Sequence, residues 1–345
     1  GADDLIQAGV IFHNKHTNHV NPPSQNRKAR DFGRFPLHPF IDRFQYTSKL
    51  FRICYSVAFL FARLTFGQKA IIFVASFSIT RPFSARQGGL SMLDSFLRPT
   101  QIKTNQDGGL LRLIACVCMF IDHAGKMLFP QLTWMRMVGR LAFPLFAYGI
   151  AVGAAMTRHP RQYIARVAAL ALVSQPLYAV ALGHTNEAMY AVPFAQHPLR
   201  ALCTFYMESW EKPSILLALL LGLLLLLCLR EKQYVPALLI YVLCARFSAE
   251  LDYGVSGIGL MAVFYLFLEH PALCFAASTA YMLVWSADGH GYPLFGMEFG
   301  MRIFATPAVM LASLPIRRKT RTPKWLSYGF YPAHLLALLA LEKFF

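Results

Sequence analysis

Asp122 and His123 stand side by side in "LLRLIACVCMFIDHAGKMLF", a mostly apolar run of twenty residues from Leu110 to Phe129. A run of that length spans a bilayer. Even mild insertion scales place an ionised group at its centre at roughly +2.5–3.5 kcal/mol, so such residues are functional candidates by default. Three more ionisable residues occupy other apolar runs. Arg140 opens one in "MVGRLAFPLFAY", Asp252 another in "AELDYGVSGIGLMAVFYLF", and His334 lies within "YGFYPAHLLALLAL", one helical turn beyond Tyr331. Each also has an ordinary role open to it. Arg140 can sit among headgroups, Asp252 can complement a helix start, and His334 can bond a backbone carbonyl.

Geometry limits what the adjacent pair can do. Neighbouring residues on a helix point about 100° apart, so Asp122 cannot orient the ring of His123. Asp122 is better placed to pair with Arg140 across a helix interface. His123 is then left as a base whose partner comes from another segment. A neutral imidazole near pH 7 suits general-base chemistry.

The elements that must position these groups are helices in lipid. The chain has 345 residues, 56% hydrophobic and only 14% charged, with a mean hydropathy of +0.43. Soluble chains carry about a quarter charged residues, and "SILLALLLGLLLLLCL" (Ser214 to Leu229) has no charge at all. The composition predicts an all-α, polytopic integral membrane protein. Nine apolar segments follow from Leu110: Leu110–Phe129, Gly139–Met156, Gln162–Leu182, Ser214–Leu229, Tyr234–Phe247, Gly254–Leu268, Pro271–Ala287, Phe299–Leu314 and Trp325–Phe345. Several are short, and one is expected to be a re-entrant or half helix. No internal repeat is visible, which weighs against inverted-repeat transporters.

Basic residues then set an expected orientation. With the start of the first span inside, the inner loops hold Arg158, Arg161 and Arg166, then Arg230 and Lys232, then the block Arg317, Arg318, Lys319, Arg321 and Lys324. The outer loops hold only scattered Lys126, Arg136, Arg140, Arg200, Lys212, Arg246 and Arg302. The positive-inside rule gives N-terminus in and C-terminus out. The net charge of +16 belongs to such loops, so nucleic acid is not an expected partner. The seven cysteines show no metal spacing and read as small buried hydrophobes; no metal is expected.

Residues 1–91 differ from the rest. They lack Met, Glu and Trp and carry 12 Lys+Arg against 4 Asp+Glu. Two readings fit: a basic cytoplasmic arm, or read-through upstream of a start at Met92, of which the second is favoured. Neither asks the segment to carry chemistry, and residues 92–345 form the expected transmembrane domain.

The blocks "LRLIACVCMFIDHAGKMLFP", "MVGRLAFPLFAYGIAVGAAMTRHPRQYIAR", "LDYGVSGIGLMAVFYLF" and "YGFYPAHLLALLAL" together resemble the TraX family of F-pilin N-acetylases, in the expected order, from about residue 110 to 345. The family's usual Asn and Thr around the fourth span are absent, with "EKPSILLALLLGLL" in their place. The resemblance implies an acetyltransferase in the bacterial inner membrane. Acetyl-CoA would be the co-substrate, and the acceptor a pilin-like amino terminus or a glycan hydroxyl at the outer face. His123 would be the base and Arg140 would stabilise the oxyanion, with Asp122 holding Arg140. Asp252, Tyr331 and His334 would line the acceptor side, and the Arg317–Lys324 block would dock the nucleotide. A proton-coupled transporter and a non-catalytic membrane subunit are the rival classes.

Overall fold

The computed structural model describes residues 96–294 and 296–344. The expected arm or read-through segment, with its Met92 start, lies outside them. Twelve α-helices carry nearly all of the described structure: α1 Gly108–Met127, α2 Thr133–Gly139, α3 Ala142–Met156, α4 Pro160–Ala181, α5 Pro198–Glu208, α6 Ile215–Arg230, α7 Tyr234–Arg246, α8 Gly254–Leu266, α9 Pro271–Ser286, α10 Thr306–Ser313, α11 Lys324–Tyr328 and α12 Phe330–Glu342. Each of the nine apolar segments contains helix. Three helical stretches are long and apolar enough to cross a membrane: Gly108–Met127, Thr133–Met156 and Pro160–Ala181. The remaining apolar helices are shorter, 10–17 residues. A hairpin of β1 (Tyr292–Leu294) and β2 (Met297–Phe299) was not expected from the sequence.

Apolar faces point both ways. α8 is buried almost all round, with Ile258, Leu260, Met261, Phe264 and Tyr265 at or below 1% exposure. A helix apolar on every side belongs in the middle of the packing. On α4 and α7 the exposed residues are themselves large and apolar, including Leu172, Val173, Leu238, Leu239 and Val242. An outer surface of that kind fits lipid.

The chain between α5 and α6 is the broken element. A short 3₁₀ turn at Ser209–Glu211 follows α5, and the axis bends 68° before α6. Fully buried Gln175, in the C-terminal third of α4, satisfies the freed backbone there. Its amide donates to the carbonyls of Ser209 and Lys212, and its oxygen accepts from the N–H of Ser214 at 2.9 Å. Irregular backbone within an apolar bundle requires such a partner.

The loops richest in basic residues gather at one end of the bundle. Arg98 donates to the Arg230 carbonyl, and Arg230 donates to the carbonyls of Ala154 and Thr157. The backbone N–H of Lys103 bonds Leu268, and that of Gln106 bonds Ile316. Buried Asp107 caps α1 by accepting from the Leu110 N–H. The same carboxylate accepts from the Thr320 N–H at 2.9 Å and the Thr320 hydroxyl at 2.7 Å. A Cβ on Gly109 would run into the Thr320 carbonyl, so only glycine lets this loop lie so close to α1. Burial works against ionising Asp107, but these donors and the nearby Arg318 outweigh it and hold the carboxyl below its usual range.

Candidate functional site

The second turn of α1 from its C-terminal end carries Asp122 and His123, and packing against α2, α3 and α12 surrounds both. Asp122 accepts from Arg140 Nη2 at 3.0 Å and from Arg136 Nη1 at 2.9 Å. The pairing with Arg140 is the one expected, and Arg136 is an added partner that a loop assignment concealed. Arg136 also donates to the Asp122 carbonyl. Arg140 Nε donates to the Arg136 carbonyl, and its Nη1 lies 3.4 Å from the Tyr253 hydroxyl. All three nitrogens of Arg140 are therefore engaged. Gly139 ends α2 directly against Asp122, where any Cβ would overlap the carboxylate.

His123 is 8% exposed and His334 4%. Their rings stack at 5.0 Å between centroids, with His123 Nδ1 2.7 Å from His334 Nε2. His334 Nδ1 lies 2.9 Å from the Phe330 carbonyl. A carbonyl only accepts, so in the neutral pair His334 carries its proton on Nδ1. Its Nε2 then accepts, and His123 must donate from Nδ1. That leaves the lone pair of His123 on Nε2, which takes no hydrogen bond from any described residue. His334 thus does bond a backbone carbonyl, and through it fixes the tautomer of His123. Residues 211 positions apart in sequence meet here because α12 packs against α1.

His123 lines a cavity of about 260 Å³ with Asp122, Lys126, Arg136, Arg140, Lys212, Asp252, Tyr253 and Tyr331. Asp252 precedes α8 with the Tyr253 N–H close to its carboxylate and without an ion pair among the described residues, although Arg140 and Lys212 are close enough to act on its charge. Tyr253 holds a left-handed φ of 60° and stacks on Phe143 at 4.1 Å. A bulky residue in that region costs about 1–3 kcal/mol and is most often found where a site demands it. Lys126 reaches His184 Nε2 at 3.4 Å. Burial, then the charges of Lys126 and Lys212, keep the His184 imidazole below its usual range, so it accepts as the neutral ring.

A second cavity, about 250 Å³, lies toward the basic end. Asn105, Gln106, Gly108, Arg112, Tyr163 and Tyr328 line it there, and Leu111, Leu145, Val167 and Leu219 make its walls apolar. Arg317, Arg318, Lys319 and Arg321 are exposed on the loop that Asp107 pins beside α1, while the Lys324 side chain lies outside the described set. Arg112 Nη1 is 3.4 Å from Thr322 on that loop. Arg158, Arg161 and Arg166 are also exposed, around the start of α4. Met119, Phe146, Ile215 and Tyr331 line both cavities and form the neck between them.

Residues 107–342 match the family model described as TraX protein. The chain belongs to the TraX family. The matched region runs from the Asp107 cap to the end of α12 and so holds every residue of the polar cavity and all of the apolar one except Ile102, Asn105 and Gln106. This TraX-family chain is also 48% identical over 48 residues to an uncharacterized protein of Rickettsia prowazekii, covering 14% of this chain and 19% of that one. It is 25% identical over 165 residues to a protein of Dichelobacter nodosus named probable fimbrial assembly protein FimC, serogroup H1, covering 46% and 60% of the two. The TraX-family chain thus spans less than two thirds of either relative's length. No solved structure matches it.

Sequence reasoning found His123, Asp122, Arg140, Asp252, Tyr331 and His334, and the fold brings all six to one region. It missed Arg136, Lys126, Lys212 and Tyr253. The first three were counted only as loop charges for topology. The one available signal for Tyr253 was the Asp-Tyr-Gly step before an apolar helix, where a turn is common.

Proposed function

We propose that this TraX-family protein is a membrane-embedded acyltransferase that moves an acetyl group from acetyl-CoA to an acceptor amine or hydroxyl. The observation that carries the reading is the His334–His123 pair at 2.7 Å, which leaves a tautomerically defined base facing a polar cavity. Family membership supports the reaction class, and the fimbrial name of the Dichelobacter nodosus relative supports a pilin-like peptide acceptor.

The steps follow from the arrangement. The anionic nucleotide of acetyl-CoA docks on Arg317, Arg318, Lys319 and Arg321 at the inner face. Its pantetheine arm occupies the apolar cavity and brings the thioester to the neck. The acceptor enters the polar cavity from the outer side. His123 Nε2 takes the proton of the acceptor N–H or O–H as the new bond to the acetyl carbon forms. The C–S bond then breaks, and the thiolate leaves with the proton returned from His123. Asp122 and Arg136 hold Arg140 and the wall of the acceptor cavity.

Two cavities meeting at a neck are also what a solute pathway requires, so proton-coupled transport is the second reading. Labelled acetyl transfer by the purified chain in detergent separates them, because detergent abolishes any gradient. Transfer to a peptide amine or a sugar hydroxyl supports the enzyme. Its absence from folded protein contradicts it.

A further inference from the structure

Tyr331 belongs to both cavities and is 6% exposed, yet its hydroxyl has no hydrogen-bond partner. Ser214, 1% exposed, is near enough to act on the Tyr331 phenol in the resting protein, but the two hydroxyls fall outside hydrogen-bond geometry and neither has another partner. A buried donor left without an acceptor destabilises a fold by about 1–3 kcal/mol, so a persistent one calls for an explanation. The Ser214 hydroxyl is the polar side-chain group beside Tyr331, and it does not reach hydrogen-bond geometry. The rest of the neck, Met119, Phe146 and Ile215, offers no polar atom from its side chains to satisfy it.

The position suggests what the missing acceptor is. The Tyr331 ring stands edge-on to His123 at 6.5 Å between centroids and to His334 at 5.5 Å. The tyrosine is thus beside the base, at the one level shared by the cavity assigned to the donor and the cavity assigned to the acceptor. Arg140, to which the family resemblance gave the oxyanion, has its nitrogens on Asp122, Arg136 and Tyr253. A group already engaged is a poor candidate to meet charge that appears only during the reaction.

We infer that the Tyr331 hydroxyl is the oxyanion donor of the site, taking the carbonyl oxygen of the acyl thioester at the neck. The inference rests on the acyltransferase reading above. As the acceptor adds to the thioester carbon, the carbonyl electron pair moves onto oxygen, and the O–H of Tyr331 donates to it. The pair returns when the C–S bond breaks, and Tyr331 keeps its proton throughout. The hydroxyl is unsatisfied in the resting protein because its partner exists only with substrate bound. Preorganised donors of this kind act most strongly where water is excluded.

The test is Tyr331→Phe in the full chain, purified in detergent. Acetyl transfer from acetyl-CoA is measured to a short synthetic peptide with a free amino terminus and to a sugar alcohol. The inference expects kcat to fall about 10²–10³-fold with KM little changed, the sign of an interaction made only in the transition state. It also expects thermal stability to hold or rise, since the variant removes an orphaned hydroxyl. Wild-type kcat in Tyr331→Phe overturns the inference. So does a loss of stability alongside activity, which would make the hydroxyl structural. A folded wild-type chain that transfers no acetyl group to either probe overturns the acyltransferase reading itself, and the inference with it.

Discussion

His123 Nδ1 and His334 Nε2 lie 2.7 Å apart, and the Phe330 carbonyl on the far side of His334 sets the direction of both hydrogen bonds. The arrangement is a relay of orientation and not of charge. Its product is one imidazole with a known free nitrogen at the wall of a polar cavity. Replacing His334 with phenylalanine, which keeps the stacking surface, should lower kcat while leaving acetyl-CoA affinity intact. Removing it frees His123 to adopt either tautomer, and kinetics at saturating donor would show the loss. An unchanged kcat would mean that His334 only fills space.

Asp122 holds two guanidiniums, from Arg136 and Arg140. Asp122→Ala strands both, and breaking a mostly buried pair this way typically costs roughly 3–5 kcal/mol. The variant Asp122→Ala with Arg136→Leu and Arg140→Leu should recover much of that loss. Thermal unfolding of the single and triple variants measures it. Equal stability of the two would argue against a coupled cluster. Gly139→Ala should resemble Asp122→Ala, because its methyl group would occupy the space of the carboxylate.

Much of this site was legible in the sequence because intramembrane ionisable residues are rare enough to stand out. Asp122, His123, Arg140 and His334 interrupt apolar runs, and the Asp122–Arg140 pair followed from helix geometry. The helical segments were legible for the same reason, since length and hydropathy alone define them. What stayed hidden depends on long-range packing. Nothing local in "YGFYPAHLLALLAL" says that His334 turns toward α1 rather than a carbonyl alone. Arg136 and Lys212 resembled ordinary loop charges, because only the break between α5 and α6 and the approach of α2 to α1 bring them inward. Gln175 was passed over because a single amide in an apolar helix gives no sign of the unwound backbone it serves.

Asp107 joins α1 to the basic loop, and its ionised carboxylate does the joining. Its carboxyl is held below the ordinary carboxylate range in the folded chain. Stability from such a group is complete above the unfolded pKa, about 3.9, and is lost as pH falls through the lower folded value. The stability gap between wild type and Asp107→Asn should therefore be full at pH 7 and should narrow only below about pH 4. Unfolding of both proteins across that range checks it. A gap that does not change with pH would show that ionisation is irrelevant to the pin.

Neutralising Arg317, Arg318, Lys319 and Arg321 together should raise the apparent KM for acetyl-CoA and leave the acceptor KM alone. A shift in the acceptor term would place the donor elsewhere. Cysteines introduced beside His123 should react with membrane-impermeant reagents added from the outer face. Labelling only from the cytoplasm would contradict the entry of the acceptor from outside.

The central claim is that His123 acts as the base for acyl transfer, and one measurement addresses it directly. Purified wild type and His123→Ala are given acetyl-CoA labelled in the acetyl group, with a free-amine peptide and a sugar alcohol as acceptors. General-base catalysis contributes about 10²–10⁴-fold, so His123→Ala should lose at least two orders of magnitude while expressing and inserting normally. Equal transfer by the two proteins, or none by folded wild type, would contradict the account.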